Sequence, residues 1–155
     1  MPKITPCLWF DTEGEQAAEF YTSVFPNSHI GEISRYGEAG PGVPGSAMTV
    51  SFVLDGQEFV ALNGGPVFTF SEAISFQVDC ANQEEVDHYW TSLADGGHED
   101  QCGWLKDKFG LSWQIVPSRL PELLQHPDPD TSQRVMKAML GMRKIDISAL
   151  EAATA

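Results

Sequence analysis

The chain has 155 residues, 42% of them apolar and 20% charged, the composition of one globular domain rather than a disordered, collagen-like or coiled-coil protein. Nine Lys and Arg face 22 Asp and Glu, and the resulting charge of -13 sets the chain against a nucleic-acid backbone or an anionic bilayer surface. No apolar run approaches the roughly 20 residues of a membrane span, and the opening Met1-Pro2-Lys3-Ile4 lacks the apolar stretch of a secretory leader.

Three cysteines, Cys7, Cys80 and Cys102, without Cys-x-x-Cys spacing, indicate reduced thiols rather than a disulfide framework or a thiolate zinc site. Together these features predict a cytoplasmic protein.

In chain order, residues 4–10 read as a strand. The segment EQAAEFYTSVF (residues 15–25) reads as a helix, because Ala17, Phe20, Tyr21 and Val24 recur at i, i+3, i+4 and i+7, and Pro26-Asn27 stops it. Strands follow at residues 30–36, 48–54 and 58–62. Asp55-Gly56 joins the last two as a tight hairpin, and the Gly- and Pro-rich loop of residues 37–45 (GEAGPGVPG) separates the first two. The same order then returns. Residues 74–78 form a strand and EEVDHYWTSLA (residues 84–94) a helix with Val86, Tyr89, Trp90 and Leu93 on one side, ended by Asp95-Gly96-Gly97. Strands over residues 98–102, 104–108 and 111–116 complete it, with Gly110 at the last turn.

Aligned Glu15 against Glu84, the two helices share a Thr-Ser pair and set aromatics on aromatics, Phe20 on Tyr89 and Tyr21 on Trp90. The reading is β-α-β-β-β twice, an α+β protein of one domain over residues 1–155. Its modules span about 3–66 and 70–117, and a helical tail spans 118–155. In the tail, residues 120–124 and 131–142 read as helices, the second capped by Thr131 and carrying a stripe of Val135, Met136, Met139, Leu140 and Met142 that suits core or dimer contact.

A sheet with a helix on one face leaves the other face free, and two such modules side by side predict a cleft that the loop of residues 37–45 could cover. Alternation assigns Pro6, Leu8 and Phe10, then Ile74, Phe76 and Val78, then Leu111, Trp113 and Ile115, to the helix sides. Thr5, Cys7, Trp9, Ala73, Ser75, Gln77, Ser112, Gln114 and Val116 are left to the cleft.

The strings QCGWLKDKFGLSWQIVP (residues 101–117) and EFVALNGGP (58–66) resemble the PhnB-like branch of the vicinal-oxygen-chelate superfamily, as do TPCLWF near the start and RVMKAMLGMRKIDISALEAA near the end. That superfamily holds glyoxalase I, fosfomycin and bleomycin resistance proteins and extradiol dioxygenases. The resemblance implies the paired-module fold, a homodimer, and in the enzymes a divalent metal that polarises vicinal oxygens as a Lewis acid.

Carried across residue by residue, the metal-ligand pattern falls at Thr5, Asn63, near Ala73 and at Gln114, none of which is a good ligand. The resulting expectation is a cleft without the metal and without another cofactor, binding a small organic molecule through Thr5, Cys7, Trp9, Asn63, Ser75, Gln77, Ser112 and Gln114.

The alternatives are a divalent-metal lyase, isomerase or dioxygenase using His98, which stands beside Glu99 and Asp100, and the methyl transfer in the branch's frequent label, 3-demethylubiquinone-9 3-methyltransferase. Glu38-Ala39-Gly40-Pro41-Gly42 looks superficially like the glycine-rich loop of S-adenosylmethionine methyltransferases, but a strand rather than a helix follows it. His29, His88 and His126 read as structural or solvated, and Cys7 as a quiet small apolar side chain. Trp104, Lys106 and Asp107 could hold a hairpin's register or contact a ligand.

Overall fold

The computed structural model describes residues 3–155; Met1 and Pro2, part of the opening read above for a leader, lie outside them. The chain divides into two compact units, Met1–Phe70 and Ser71–Ala155.

The first unit runs β1 (Cys7–Phe10), α1 (Gly14–Val24), β2 (His29–Arg35), β3 (Ala47–Leu54) and β4 (Gln57–Asn63). Its sheet has the order β1-β4-β3-β2, with β1 parallel to β4 and the other pairs antiparallel. The second unit repeats this with β5 (Ser75–Cys80), α2 (Gln83–Ala94), β6 (His98–Glu99), β7 (Trp104–Lys106) and β8 (Ser112–Pro117), in the order β5-β8-β7-β6. Identical strand order and the same single parallel pair confirm the internal repeat.

The predicted helix sides hold with adjustments. Ala17, Tyr21 and Val24 are buried against the first sheet, but Ala18 takes the place expected of Phe20, which is half-buried. In α2 the buried set is Val86, Tyr89, Trp90 and Leu93, as the periodicity predicts. Across the first sheet Leu8, Phe10, Val50, Phe52, Phe59 and Ala61 form the core, with Phe52 stacked on Phe59 at a centroid distance of 5.4 Å. Burying each of these side chains other than Ala61 contributes roughly 1.5–3 kcal/mol.

Most strand starts differ from the reading, and at two of them the difference bears on candidate residues. Thr5 precedes β1, and Ala73 and Ile74 precede β5, so Ile74 is 71% exposed instead of packing on a helix. The Asp55-Gly56 hairpin has both residues at positive φ, 47° and 81°, the left-handed geometry that Asp-Gly favours.

The second unit continues through three helices, α3 (Arg119–Leu124), α4 (Pro129–Leu140) and α5 (Ile147–Ala152). Helix α4 begins two residues earlier than predicted. Pro129 suits its first turn, and Asp128 rather than Thr131 is the N-cap, its carboxylate accepting from Asp130 N and from Thr131 Oγ1. Leu120, Leu123, Val135, Ile145 and Leu150 make a small core of their own, flanked by Met139 and Met142. Gln83 at the start of α2 ties this tail down: its Nε2 donates to Ile145 O at 3.0 Å and its Oε1 accepts from Ile147 N at 2.8 Å. Among the described residues no helix is long and apolar enough to cross a membrane.

Candidate functional site

Strand register decides which side chains share each sheet's uncovered face. In the first sheet Cys7 pairs with Val60 and Trp9 with Leu62, while Thr49 pairs with Leu62 and Ser51 with Val60. That face is therefore mostly aliphatic and hydroxylic. Trp9 is half-buried on it, its Nε1 donating to Gly65 O at 2.9 Å and its ring meeting Phe68 edge-on at 4.9 Å. Cys7 is exposed, and partial burial of its thiol raises the pKa, which favours the protonated form. Thr5 is exposed ahead of the strand.

Asn63 is elsewhere. It pairs with Phe10 and follows Phe59 and Ala61 in alternation, which puts it on the helix side of the sheet, 9% exposed. Its Oδ1 accepts from Gly14 N at 2.7 Å and its Nδ2 donates to Ala47 O at 3.1 Å. The amide thus caps α1 from a distance, since Glu13 at the N-cap position makes no side-chain capping bond. The expectation for Asn63 came from the family pattern and not from the parity of β4, where Val60 and Leu62 are the residues that join Cys7 and Trp9.

On this same helix side lies a pocket of about 640 Å3, lined by Asp11, Glu15 and Glu19, by Arg35 and Tyr36, and by Pro41 to Val43 of the 37–45 loop. The loop is pinned rather than loose. The Tyr36 hydroxyl donates to Asn63 O, and a Cβ at Gly42 would come within 2.4 Å of the Tyr36 ring. Gly45 N and Tyr36 N close the loop's neck by bonding Tyr36 O and Ser46 O.

The second sheet's uncovered face is polar. Lys106, Ser112 and Ser75 stand in one row, and Trp104, Gln114 and Gln77 in the next. Gln114 Nε2 donates to Ser75 Oγ at 2.8 Å, and Gln77 Nε2 to Gln114 Oε1 at 3.4 Å. Ser112 Oγ, in contrast, is buried with no hydrogen-bond partner among the described residues. An open depression of about 470 Å3 adjoins this face, lined by Glu72, His98, Asp100, Gln101, Trp104 and Lys106. His98 is exposed, its Nε2 3.8 Å from Asp100 Oδ1, and Lys106 pairs with Glu72, which lowers the carboxyl's pKa and raises the ammonium's.

Asp107 is not part of this face. It is 3% exposed and accepts from Phe109 N, Leu111 N and Trp113 Nε1 at 2.8, 3.1 and 2.9 Å, so it holds the turn between β7 and β8. Of the string that reads most specifically in the sequence, Leu105 and Asp107 are structural, and Trp104 and Lys106 point to the uncovered face.

The metal pattern of the vicinal-oxygen-chelate enzymes does not fit these residues. Thr5 and Ala73 lie outside their strands, Asn63 is engaged in capping, and Gln114 is a neutral amide bonded to Ser75 and Gln77. Among the described residues no group of three His, Cys, Asp or Glu side chains is placed to hold a metal ion.

A family model described as 3-demethylubiquinone-9 3-methyltransferase matches residues 2–116. The PhnB protein of Bacillus cereus is 40% identical, with a TM-score of 0.70, 76% of this chain covering 100% of that one. The chain belongs to the PhnB-like family. A Pseudomonas aeruginosa protein shares the fold of this PhnB-like chain at 17% identity and a TM-score of 0.63, covering 76% of this chain and 98% of its own. So does the genomically encoded fosfomycin resistance protein of Listeria monocytogenes, at 15% identity and 0.53, over 79% and 97%. These two likenesses concern the fold alone. No curated protein matches the chain. The family model ends at residue 116, so the helical tail of this PhnB-like protein lies beyond it.

Proposed function

We propose that this protein binds a small organic molecule on the uncovered faces of its sheets, without the superfamily's usual metal. The observation that carries the reading is the neutral amide and hydroxyl array of Ser75, Gln77, Ser112 and Gln114, in which one buried hydroxyl lacks a partner. Hydrogen-bonding groups of this kind beside an aromatic side chain, Trp104 here and Trp9 on the first sheet, suit a ligand with both flat apolar and polar parts. A cytoplasmic homodimer is part of the same proposal, and light scattering reads the stoichiometry.

Native mass spectrometry of gently purified, untagged protein tests it, with elemental analysis of the same sample. A stoichiometric organic adduct that Gln114→Leu loses supports the reading. A stoichiometric transition metal overturns it and returns the metal enzyme with His98 to the front. Methyl transfer gains nothing from the loop of residues 37–45, which joins two antiparallel strands and precedes no helix. Calorimetric titration with S-adenosylmethionine is expected to give no binding heat.

A further inference from the structure

The face formed by β5, β7 and β8 contains an unsettled point beside a loosely held cation. Ser112 is 1% exposed and its hydroxyl has no partner, a costly arrangement for a buried polar group. Its direct neighbours in the row are Ser75, already bonded to Gln114, and Lys106. Lys106 is held by Glu72, a residue that belongs to the turn ahead of β5 and not to the sheet. The two side chains of this pair are 36% and 57% exposed, and an ion pair so open to water is worth little.

A carboxylate that could take both the Lys106 ammonium and the Ser112 O–H would form two charge-assisted bonds where Glu72 forms one kind. Trp104, next to Lys106 but one row along, lines the same depression and is half-buried, leaving ring surface available.

We propose that Glu72 occupies the place of a ligand carboxylate, and that the site takes a small planar monocarboxylate. Its anion pairs with Lys106 and accepts from Ser112 once Glu72 swings out, and its flat apolar body lies along Trp104. The assignment rests on the small-molecule reading and narrows it to one ligand class.

The test is an NMR titration with 2-naphthoate and its neutral counterpart 2-naphthamide. It follows the Trp104 indole signal, assigned through Trp104→Phe, in the intact protein and in the Lys106→Gln, Glu72→Gln and Ser112→Ala variants. Naphthoate is expected to shift the Trp104 signal, to bind Lys106→Gln at least tenfold more weakly and Ser112→Ala severalfold more weakly, and to bind Glu72→Gln more tightly because the internal competitor is gone. That tightening is a signature a merely structural ion pair does not give. Equal binding of acid and amide, unaltered by the three variants, overturns the carboxylate assignment and leaves small-molecule binding standing. If neither probe moves the Trp104 signal, the assignment also fails. If in addition the gently purified protein carries no organic adduct, the broader reading fails with it.

Discussion

Asn63 on β4 caps a helix 49 positions earlier in the chain, its Oδ1 accepting from Gly14 N at 2.7 Å. The approach is so close that a Cβ on residue 14 would itself lie 2.7 Å from the same oxygen, which explains a glycine in the first turn of α1. Asn63→Ala removes the cap and also leaves the Ala47 carbonyl without its donor. The expected loss is about 1–3 kcal/mol, read as a lower urea midpoint with an unchanged slope. Gly14→Ala should destabilise by a similar route, and an Asn63→Ala background should remove most of its effect, because the clash partner is gone.

Ser112→Ala is expected to act in the opposite direction on the unliganded protein. Deleting a buried hydroxyl that lacks a partner removes a desolvation penalty, so stability should rise by roughly 1 kcal/mol. Thermal unfolding of both proteins without added ligand measures this; a clear fall in the variant would mean the hydroxyl is satisfied in solution.

Asp107→Asn should cost about 2–3 kcal/mol despite its small change in shape. The carboxylate accepts three hydrogen bonds, from two backbone amides and the Trp113 indole. An asparagine can still accept from the amides, but its NH2 then faces the indole N–H, donor against donor. A changed Trp113 emission accompanying the lower unfolding midpoint would locate the damage at this turn.

Burial, with the Glu85 and Asp79 carboxylates adding to it, pushes the Cys80 thiol up to about 12, from an ordinary value of 9.0. A raised folded pKa means the folded state prefers the neutral thiol. This contribution is complete below about pH 9 and is lost as pH rises toward 12. Urea midpoints measured between these limits should fall more steeply for the native protein than for Cys80→Ala. A thiol reagent at neutral pH should label exposed Cys7 well before Cys80.

Gly103 has φ of 83°, and a Cβ there would meet Ile115 O at 3.0 Å and Ile145 Cγ1 at 3.2 Å. Gly103→Ala is therefore expected to destabilise by about 1–3 kcal/mol. Hydrogen exchange at Cys102 and Gly103, whose amides donate to Met142 O and Arg143 O, should quicken in step.

The elements and their repetition were legible because periodicity reports burial directly: Val86, Tyr89, Trp90 and Leu93 are four apolar positions on one helix stripe, and all four are inside. Strand starts were harder, as Ile74 shows. An apolar side chain before a strand looks like its first residue, and only the pairing of Ser75 with Ser112 sets where the ladder begins. The alternation of β1, β5 and β8 placed Trp9, Gln77 and Gln114 on uncovered faces. Asn63 was set with the cleft residues from the family's metal pattern, whereas it stands on the helix side of its sheet, and its partners there, Gly14 and Ala47, are distant in sequence and silent in composition. Parity with Phe59 and Ala61 was the available signal. Glu72 and Trp104 gained meaning only from register and ion pairing, which no local pattern encodes.

The bonds from Gln83 to Ile145 and Ile147, and from Cys102 and Gly103 to Met142 and Arg143, also set a timetable for synthesis. The first half is a compact unit that ends at residue 70, so it can close while the ribosome is still at work. The second half needs partners from residues 142–147. It closes only once these have left the ribosome, and a nascent chain stalled before residue 142 would hold one completed half and one waiting half.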